Sequence, residues 1–287
     1  MEAGGTKFVC AVGTGPETIV DETRFPTTTP DETIGKAVAF FRSVATGNDL
    51  AGIGIGSFGP VDPNPASATY GYITATPKPG WSDTDFAGRI KSELGVPVRL
   101  DTDVNAAALG EQRWGAARGL QDFIYLTVGT GIGGGGMLGG NLMHGLVHPE
   151  MGHIRLPHDH QRDPFEGSCP FHGDCLEGLA SGFAMQQRWG VRAETLAPDH
   201  EAWPLEADYL AAALNNYICT LSPERIIMGG GIMQQEQLFG MVRSRVQVLL
   251  GGYVKSPSIL EDIDSYIVPP GLGNRAGVLG SMALTMD

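Results

Sequence analysis

The chain has 287 residues and a formal charge of −13, from 19 Lys and Arg against 32 Asp and Glu; 42% of residues are hydrophobic and 18% charged. That charge opposes the phosphate neutralisation on which nucleic-acid binding rests, and that composition excludes a disordered polymer. No apolar run reaches the roughly 20 residues that cross a bilayer, and the first residues lack the basic and apolar regions of a signal peptide, so the expected compartment is the cytoplasm.

Lys7 to Val12 is a β-type run behind a Gly4-Gly5 turn, an arrangement that wants a strand before it, so the first strand is expected to be cut short. Pro30-Asp31-Glu32 opens a predicted helix in which Ile34, Val38, Phe41 and Ala45 recur at helical spacing. Ala51 to Ser57 reads as a buried strand, and Asp83 to Leu94 as a helix with Phe86, Ile90 and Leu94 on one face. Val98 to Asp101 is a strand that delivers DTDVN to its carboxyl end, with a helix from Ala106 to Trp114 behind it. Phe123 to Val128 and Met137 to Leu142 make a predicted hairpin around the glycine turn GTGIGGGG. His148 to Cys175 has no periodicity and much His, Pro and Gly, which reads as a loop held by metal. Beyond it come a helix (Leu205 to Leu221), a buried strand (Arg225 to Met228), a second helix (Gln237 to Leu250) and a closing helix from Arg275 to Met286. Strands alternate with helices in both halves, which predicts a two-lobed α/β protein. The expected lobes are residues 1–112, completed by the C-terminal helix 275–287, and residues 113–274, which carry the metal loop 148–176.

Three glycine turns stand beside predicted strands: Gly4-Gly5-Thr6-Lys7, the run from Gly129 and Thr130 to Gly134, and Gly229-Gly230-Gly231. Each alone reads as a tight turn; together they suggest backbone N–H groups cradling one nucleotide between lobes. Gly129 to Gly134 matches G-x-G-x-x-G, but no helix start follows it, which argues against a dinucleotide fold, and a Walker phosphate loop is absent. In DTDVN, Asn105 suits a helix N-cap, leaving Asp103 to take a proton from an attacking hydroxyl, the base role that phosphoryl transfer needs. His153, Cys169, His172 and Cys175 offer the two thiolates and two imidazoles of a closed tetrahedral zinc site, with His144, His148, His158 and His160 competing for the place of His153. Glu150 and Glu177 flank that segment and could meet sugar hydroxyls, although lone glutamates are ordinarily solvated.

Seven ordered segments, EAGGTK (2–7), GSFGPVD (56–62), DTDVNAAALGE (101–111), TVGTGIGGG (127–135), HPEMGHI (148–154), CPFHGDCLEGLASG (169–182) and PERIIMGGGIM (223–233), span nearly the whole chain. Together they resemble the ROK family of repressors, open-reading-frame proteins and kinases, and within it the bacterial fructokinases. The resemblance implies an actin-like ATPase (ribonuclease H-like) fold, ATP with Mg²⁺, a bound Zn²⁺, a hexose substrate and a homodimer. Asp103 matches the catalytic base; Gly5, Thr6 and Lys7 match the first phosphate motif, Gly129 and Thr130 the second, and Gly229, Gly230 and Gly231 the adenosine segment. Asp103, Glu150, His153 and Glu177 match positions that contact the sugar, with His153 also a zinc ligand beside Cys169, His172 and Cys175. Thr102 stands where many family glucokinases carry Asn, which moves one sugar contact and speaks against glucose. Glu2 falls where other actin-like ATPases carry Asp for water-mediated contact with Mg²⁺, and Trp81, in TPKPGWSD (76–83), is placed to pack beside the sugar. The implied reaction is phosphorylation of fructose to fructose 6-phosphate, with mannose and glucose as alternative acceptors. A DNA-binding regulator of the same family would need a helix-turn-helix ahead of the first phosphate motif, and a non-catalytic sugar-binding protein would have no use for three phosphate-cradling turns.

Overall fold

Two five-stranded sheets of matching topology organise the computed structural model, which describes residues 1–45 and 49–286; Asp287, the end of the expected C-terminal helix segment, lies outside the described residues. The first half runs β1 (Glu2–Ala3), β2 (Lys7–Gly13), β3 (Ile19–Pro26), α1 (Pro30–Ala45), β4 (Ile53–Ser57), the short pair β5 (Tyr72–Ile73) and β6 (Thr84–Asp85), α2 (Phe86–Leu94), β7 (Val98–Thr102) and α3 (Asp103–Trp114). The second runs β8 (Phe123–Val128), β9 (Ile132–Leu138), β10 (Asn141–Leu142), α4 (Leu176–Ala180), α5 (Gly182–Trp189), α6 (Ala202–Leu221), β11 (Arg225–Gly229), α7 (Gln237–Leu250), α8 (Pro257–Leu260), α9 (Ile263–Tyr266), β12 (Ile267–Val268) and α10 (Ala276–Ala283). Strand order is β3-β2-β1-β4-β7 in one sheet and β10-β9-β8-β11-β12 in the other. Each is an antiparallel three-strand meander followed by two parallel strands. The parallel strands put their carboxyl ends on one edge, where open α/β sheets bind ligands.

β1 is only two residues long, yet it sits mid-sheet between β2 and β4. Phe8, Phe41, Ile55 and Phe86 fill the core of the first half, and Trp203, Leu210, Leu214 and Val246 that of the second. Between the sheets, Val104, Ala107 and Ala108 of α3 pack with Phe123, Ile227 and Ala276. α10 also lies on the first sheet, where Val278, Leu279 and Met282 meet Val9 and Ala11.

Several sequence-based boundaries shift. α3 begins at Asp103 rather than Ala106, because Thr102, not Asn105, is the cap: its Oγ1 accepts from the Asn105 N–H at 3.1 Å. Asn105 is instead fully buried, donating through Nδ2 to Asp101 Oδ1 (2.9 Å) and the Met143 carbonyl (3.0 Å) and accepting from the Gly136 N–H at 3.2 Å. It ties α3 to the second sheet. α2 starts at Phe86, capped by Asp85, and α6 starts at Ala202, one turn before the apolar period becomes visible. Trp81 has no face open to a ligand: it is fully buried against Phe8, Phe58 and Phe86, with its indole N–H donating to the Thr28 carbonyl at 2.8 Å.

Small residues let α10 and α3 touch backbone to backbone. A Cβ on Gly280 would stand 1.6 Å from the Ala106 carbonyl oxygen, a clash that only helix separation relieves. Gly280→Ala is therefore expected to cost about 3 kcal/mol or more, as overpacking does. Gly240→Ala, on the exposed face of α7 with open space around it, should instead gain about 0.5–1 kcal/mol from helix propensity. Thermal unfolding of the pair separates them; equal melting temperatures would refute the close-contact argument.

Candidate functional site

β7 ends at Thr102, and the chain turns at once into α3, so Asp103 is the first helical residue at the carboxyl edge of the sheet. Its Oδ1 accepts from the Val104 N–H at 2.9 Å, leaving Oδ2 for a ligand. Burial first, and then the Glu2 carboxylate, push the Asp103 carboxyl up to about 7, with Glu150 adding to the rise. Glu2 is itself raised by burial. A carboxylate poised near neutrality has the driving force a general base needs.

Asp103 lines a cleft of about 1200 Å³ together with all three glycine turns: Gly5, Thr6 and Lys7; Gly129 and Thr130; and Gly229, Gly230 and Gly231. The first two turns come from the equivalent hairpins of the two sheets, β1-β2 and β8-β9, which explains why Gly5 and Gly129, 124 positions apart in sequence, converge. Gly230 has φ of +93°, and a Cβ there would lie 2.4 Å from the Val128 carbonyl oxygen, so the third turn is pressed onto β8. Not every N–H of these turns faces the cleft, since that of Gly129 closes onto the Gly131 carbonyl at 2.9 Å. Arg24, Gln186, Arg192 and Asn274 also line it and were missed by sequence reasoning. They stand on β3, on α5, on the segment after α5 and just before α10, with no local motif to mark them. The ASG run before α5 was a usable signal: the Gly182 N–H donates to the Gly129 carbonyl at 2.7 Å, locking α5 onto the second turn.

Thr102, Glu150, His153 and Glu177 stand outside that cleft. Thr102 is buried and spends its hydroxyl oxygen on the cap. Glu150 lines a second cavity of about 350 Å³ with His148, Val61, Asp62 and Asn64. His148 Nε2 accepts from the Val61 N–H at 3.2 Å, so Nδ1 carries the proton towards Glu150 Oε1, 3.6 Å away. Glu177 Oε2 accepts from the Ile132 N–H at 2.9 Å, which fastens the glycine turn to α4.

The metal-type residues do converge. His153 Nδ1 lies 3.7 Å from Cys169 Sγ and 3.5 Å from Cys175 Sγ, and His172 Nδ1 lies 3.6 Å from Cys169 Sγ. Zinc bonds of about 2.3 Å to sulfur and 2.0–2.1 Å to nitrogen, at tetrahedral angles, set an N···S edge of about 3.6 Å. The donor set and its edges therefore fit zinc, and the competing His144, His148, His158 and His160 are not in this cluster. His153 turns its other nitrogen, Nε2, towards Glu150 Oε2 and Glu177 Oε1, each 4.0 Å away, and so links the cluster to both carboxylates. Among the described residues no helix is long and apolar enough to cross a membrane.

Known proteins resemble this chain in sequence and in fold. The chain is 44% identical to the fructokinase of Pediococcus pentosaceus over 99% of its own length and 96% of the relative's. Among solved structures, the ROK hexokinase from Thermus thermophilus matches with a TM-score of 0.79 at 28% identity, covering 99% of this chain and 95% of that one. A ROK family glucokinase from Streptomyces griseus in complex with glucose and AMPPNP matches with a TM-score of 0.74 at 25% identity, covering 98% and 96%. The fold is thus the two-sheet, actin-like ATPase fold of these kinases. With a ROK family model matched by residues 1–287, on top of the cleft, the glycine turns and Asp103, the chain belongs to the ROK family.

Proposed function

We propose that this chain is a fructokinase, which transfers the γ-phosphoryl group of ATP to the primary hydroxyl of fructose and yields fructose 6-phosphate and ADP. The observation that carries this reading is the placement of Asp103, with its raised carboxyl, in one cleft with three glycine turns. Fructose is favoured over glucose by 44% identity to a fructokinase against 25% to a glucokinase, and by Thr102, whose hydroxyl oxygen is engaged in a cap.

In this reading the turns and Lys7 hold the phosphates, and Gly229 to Gly231 face the adenosine. Asp103 Oδ2 takes the proton of the sugar hydroxyl as its oxygen attacks the γ-phosphorus; the bond to the bridging oxygen breaks, and its electron pair leaves with ADP. The proton then passes to solvent. Mg²⁺ brought with ATP would supply positive charge against the phosphates, and Glu2, which lines the same cleft, would be the carboxylate that hydrogen-bonds to its water. Glu150, His153 and Glu177 orient the sugar, while His153, Cys169, His172 and Cys175 hold a structural Zn²⁺ that fixes the loop 148–176. The lobes 1–112 with 275–287, and 113–274, would close on both substrates. A homodimer in the cytoplasm completes the reading; four cysteines without a disulfide suit a reducing compartment.

A coupled ADP-release assay with fructose, mannose and glucose at equal concentration tests it. Preference for fructose is expected; turnover with another hexose alone would move the specificity, and no turnover with any would end the kinase reading. Because the base must be ionised, kcat/KM should fall as pH drops below about 7. Glu2→Gln removes the second-largest cause of the raised Asp103 value, so this acid limb should move to lower pH. An unmoved limb would assign it to another group.

A further inference from the structure

The loop between Met151 and Cys175 holds a second group of metal-ligating side chains that phosphoryl transfer does not use. Ligand atoms of His158, His160 and Asp174 lie within 4.8 Å of one another. The His158 side chain is only 3% exposed. Its Nε2 is 3.0 Å from the backbone carbonyl oxygen of Asp163, which can only accept, so Nε2 carries the ring proton. Its other ring nitrogen, Nδ1, faces Asp174 Oδ2 at 3.4 Å. A nitrogen and a carboxylate oxygen stay together at that distance with a cation between them, a metal ion or a second ring proton.

The spacing suits a metal ion. Ligand bonds of about 2.1 Å at tetrahedral angles set an N···O edge of about 3.4 Å. Arg155 Nη1 holds Asp174 Oδ1 at 3.0 Å, which leaves Oδ2 to face His158. The ring of His160 lies 4.0 Å from that of His158, centroid to centroid, tilted by 42° to it, and is exposed, so an ion there would keep a position open to water. The His158 tautomer is fixed from below: Asp163 is 3% exposed, accepts from the Tyr209 hydroxyl at 2.6 Å and from Arg188 Nε at 3.1 Å, and cannot turn its carbonyl away without breaking that network.

We propose that His158, His160 and Asp174 form a second metal site, for a divalent ion of the zinc, cobalt and nickel class. Two imidazoles and one carboxylate suit these borderline ions rather than Mg²⁺, which demands an oxygen-rich octahedron. The ion would join the segment 156–163 to the 169–175 turn one residue before Cys175, clipping together both sides of the loop.

Elemental analysis after dialysis against buffer containing micromolar zinc, on wild type and His160→Ala, tests the proposal. His160 is exposed, so the variant should fold; Asp174→Asn provides an independent second variant. Wild type is expected to hold one equivalent more per chain than either variant, and calorimetric titration should show the extra binding event weakened about tenfold or more in both. The difference is read against wild type, so it stands whether or not the Cys169 and Cys175 cluster is itself loaded. With Co²⁺, the thiolate charge-transfer band, which only that cluster can give, should be the same in all three proteins. Equal metal content in wild type and both variants would overturn the site and leave a proton as the cation between His158 and Asp174.

Discussion

Asp103→Asn is expected to lower kcat by about 10²–10⁴ while sugar binding largely survives, because the amide keeps the carboxyl shape but takes no proton. The same substitution should raise stability at pH 8. The folded-state value is near 7 and an unfolded Asp titrates near 3.9, so between those values the native state binds more protons than the unfolded one. Stability from this group is therefore present at low pH and lost as pH rises through about 7; an Asn, which never ionises, does not lose it. A higher melting temperature at pH 8 alongside collapsed turnover is the expected signature. Near wild-type turnover would remove Asp103 from the base role, and a lower melting temperature would show that its ionised form is held better than its burial implies.

Metal removal should have the second-largest effect. A ligand that binds only the folded state at 1,000 times its dissociation constant contributes about 4 kcal/mol, which for a chain of this size is about 10 °C of melting temperature. Stripping zinc with a strong chelator, or replacing the fully buried Cys175 by Ala, is expected to produce a loss of that order. Activity should fall too, about tenfold or more in kcat/KM for the sugar, because His153 would lose the bond that aims Nε2 at Glu150 and Glu177. Metal-free protein with full activity and an unchanged melting curve would dismiss the zinc reading. The two effects separate cleanly, since Asp103→Asn leaves the metal content untouched.

What could be read from the sequence follows from how local each requirement is. The glycine turns, the carboxylate after β7 and the Cys169-x-x-His172-x-x-Cys175 spacing are constraints written within a few residues, and the turns gained their meaning only from occurring together. The start of α3 was misjudged because Thr102 and Asn105 are both good caps, and only the φ and ψ of the chain leaving β7 decide between them. Trp81 was placed beside the sugar only through the family resemblance of TPKPGWSD. Its burial comes from Phe8 and Phe86, each on a different element. Arg24, Arg192 and Asn274 reach the cleft only through the pairing of distant segments, and the matching topology of the two sheets is invisible in residues because the duplicate strands share shape rather than sequence.

The position of α10 bears on how the protein is made. Ser281 Oγ accepts the Gly56 N–H at 3.1 Å across a separation of 225 residues, and the face of the first sheet formed by Val9 and Ala11 is covered by Val278, Leu279 and Met282. A nascent chain therefore carries its earliest strands through nearly the whole of synthesis without their covering helix. The second sheet waits for the same helix on one face, where Phe123 and Ile227 pack with Ala276, while α6 and α7 cover its other face. Until α10 has been made, the strands that carry Val9 and Ala11 keep an apolar face uncovered. That interval, set by translation speed rather than by equilibrium stability, is when this chain is most exposed to aggregation and most in need of a chaperone.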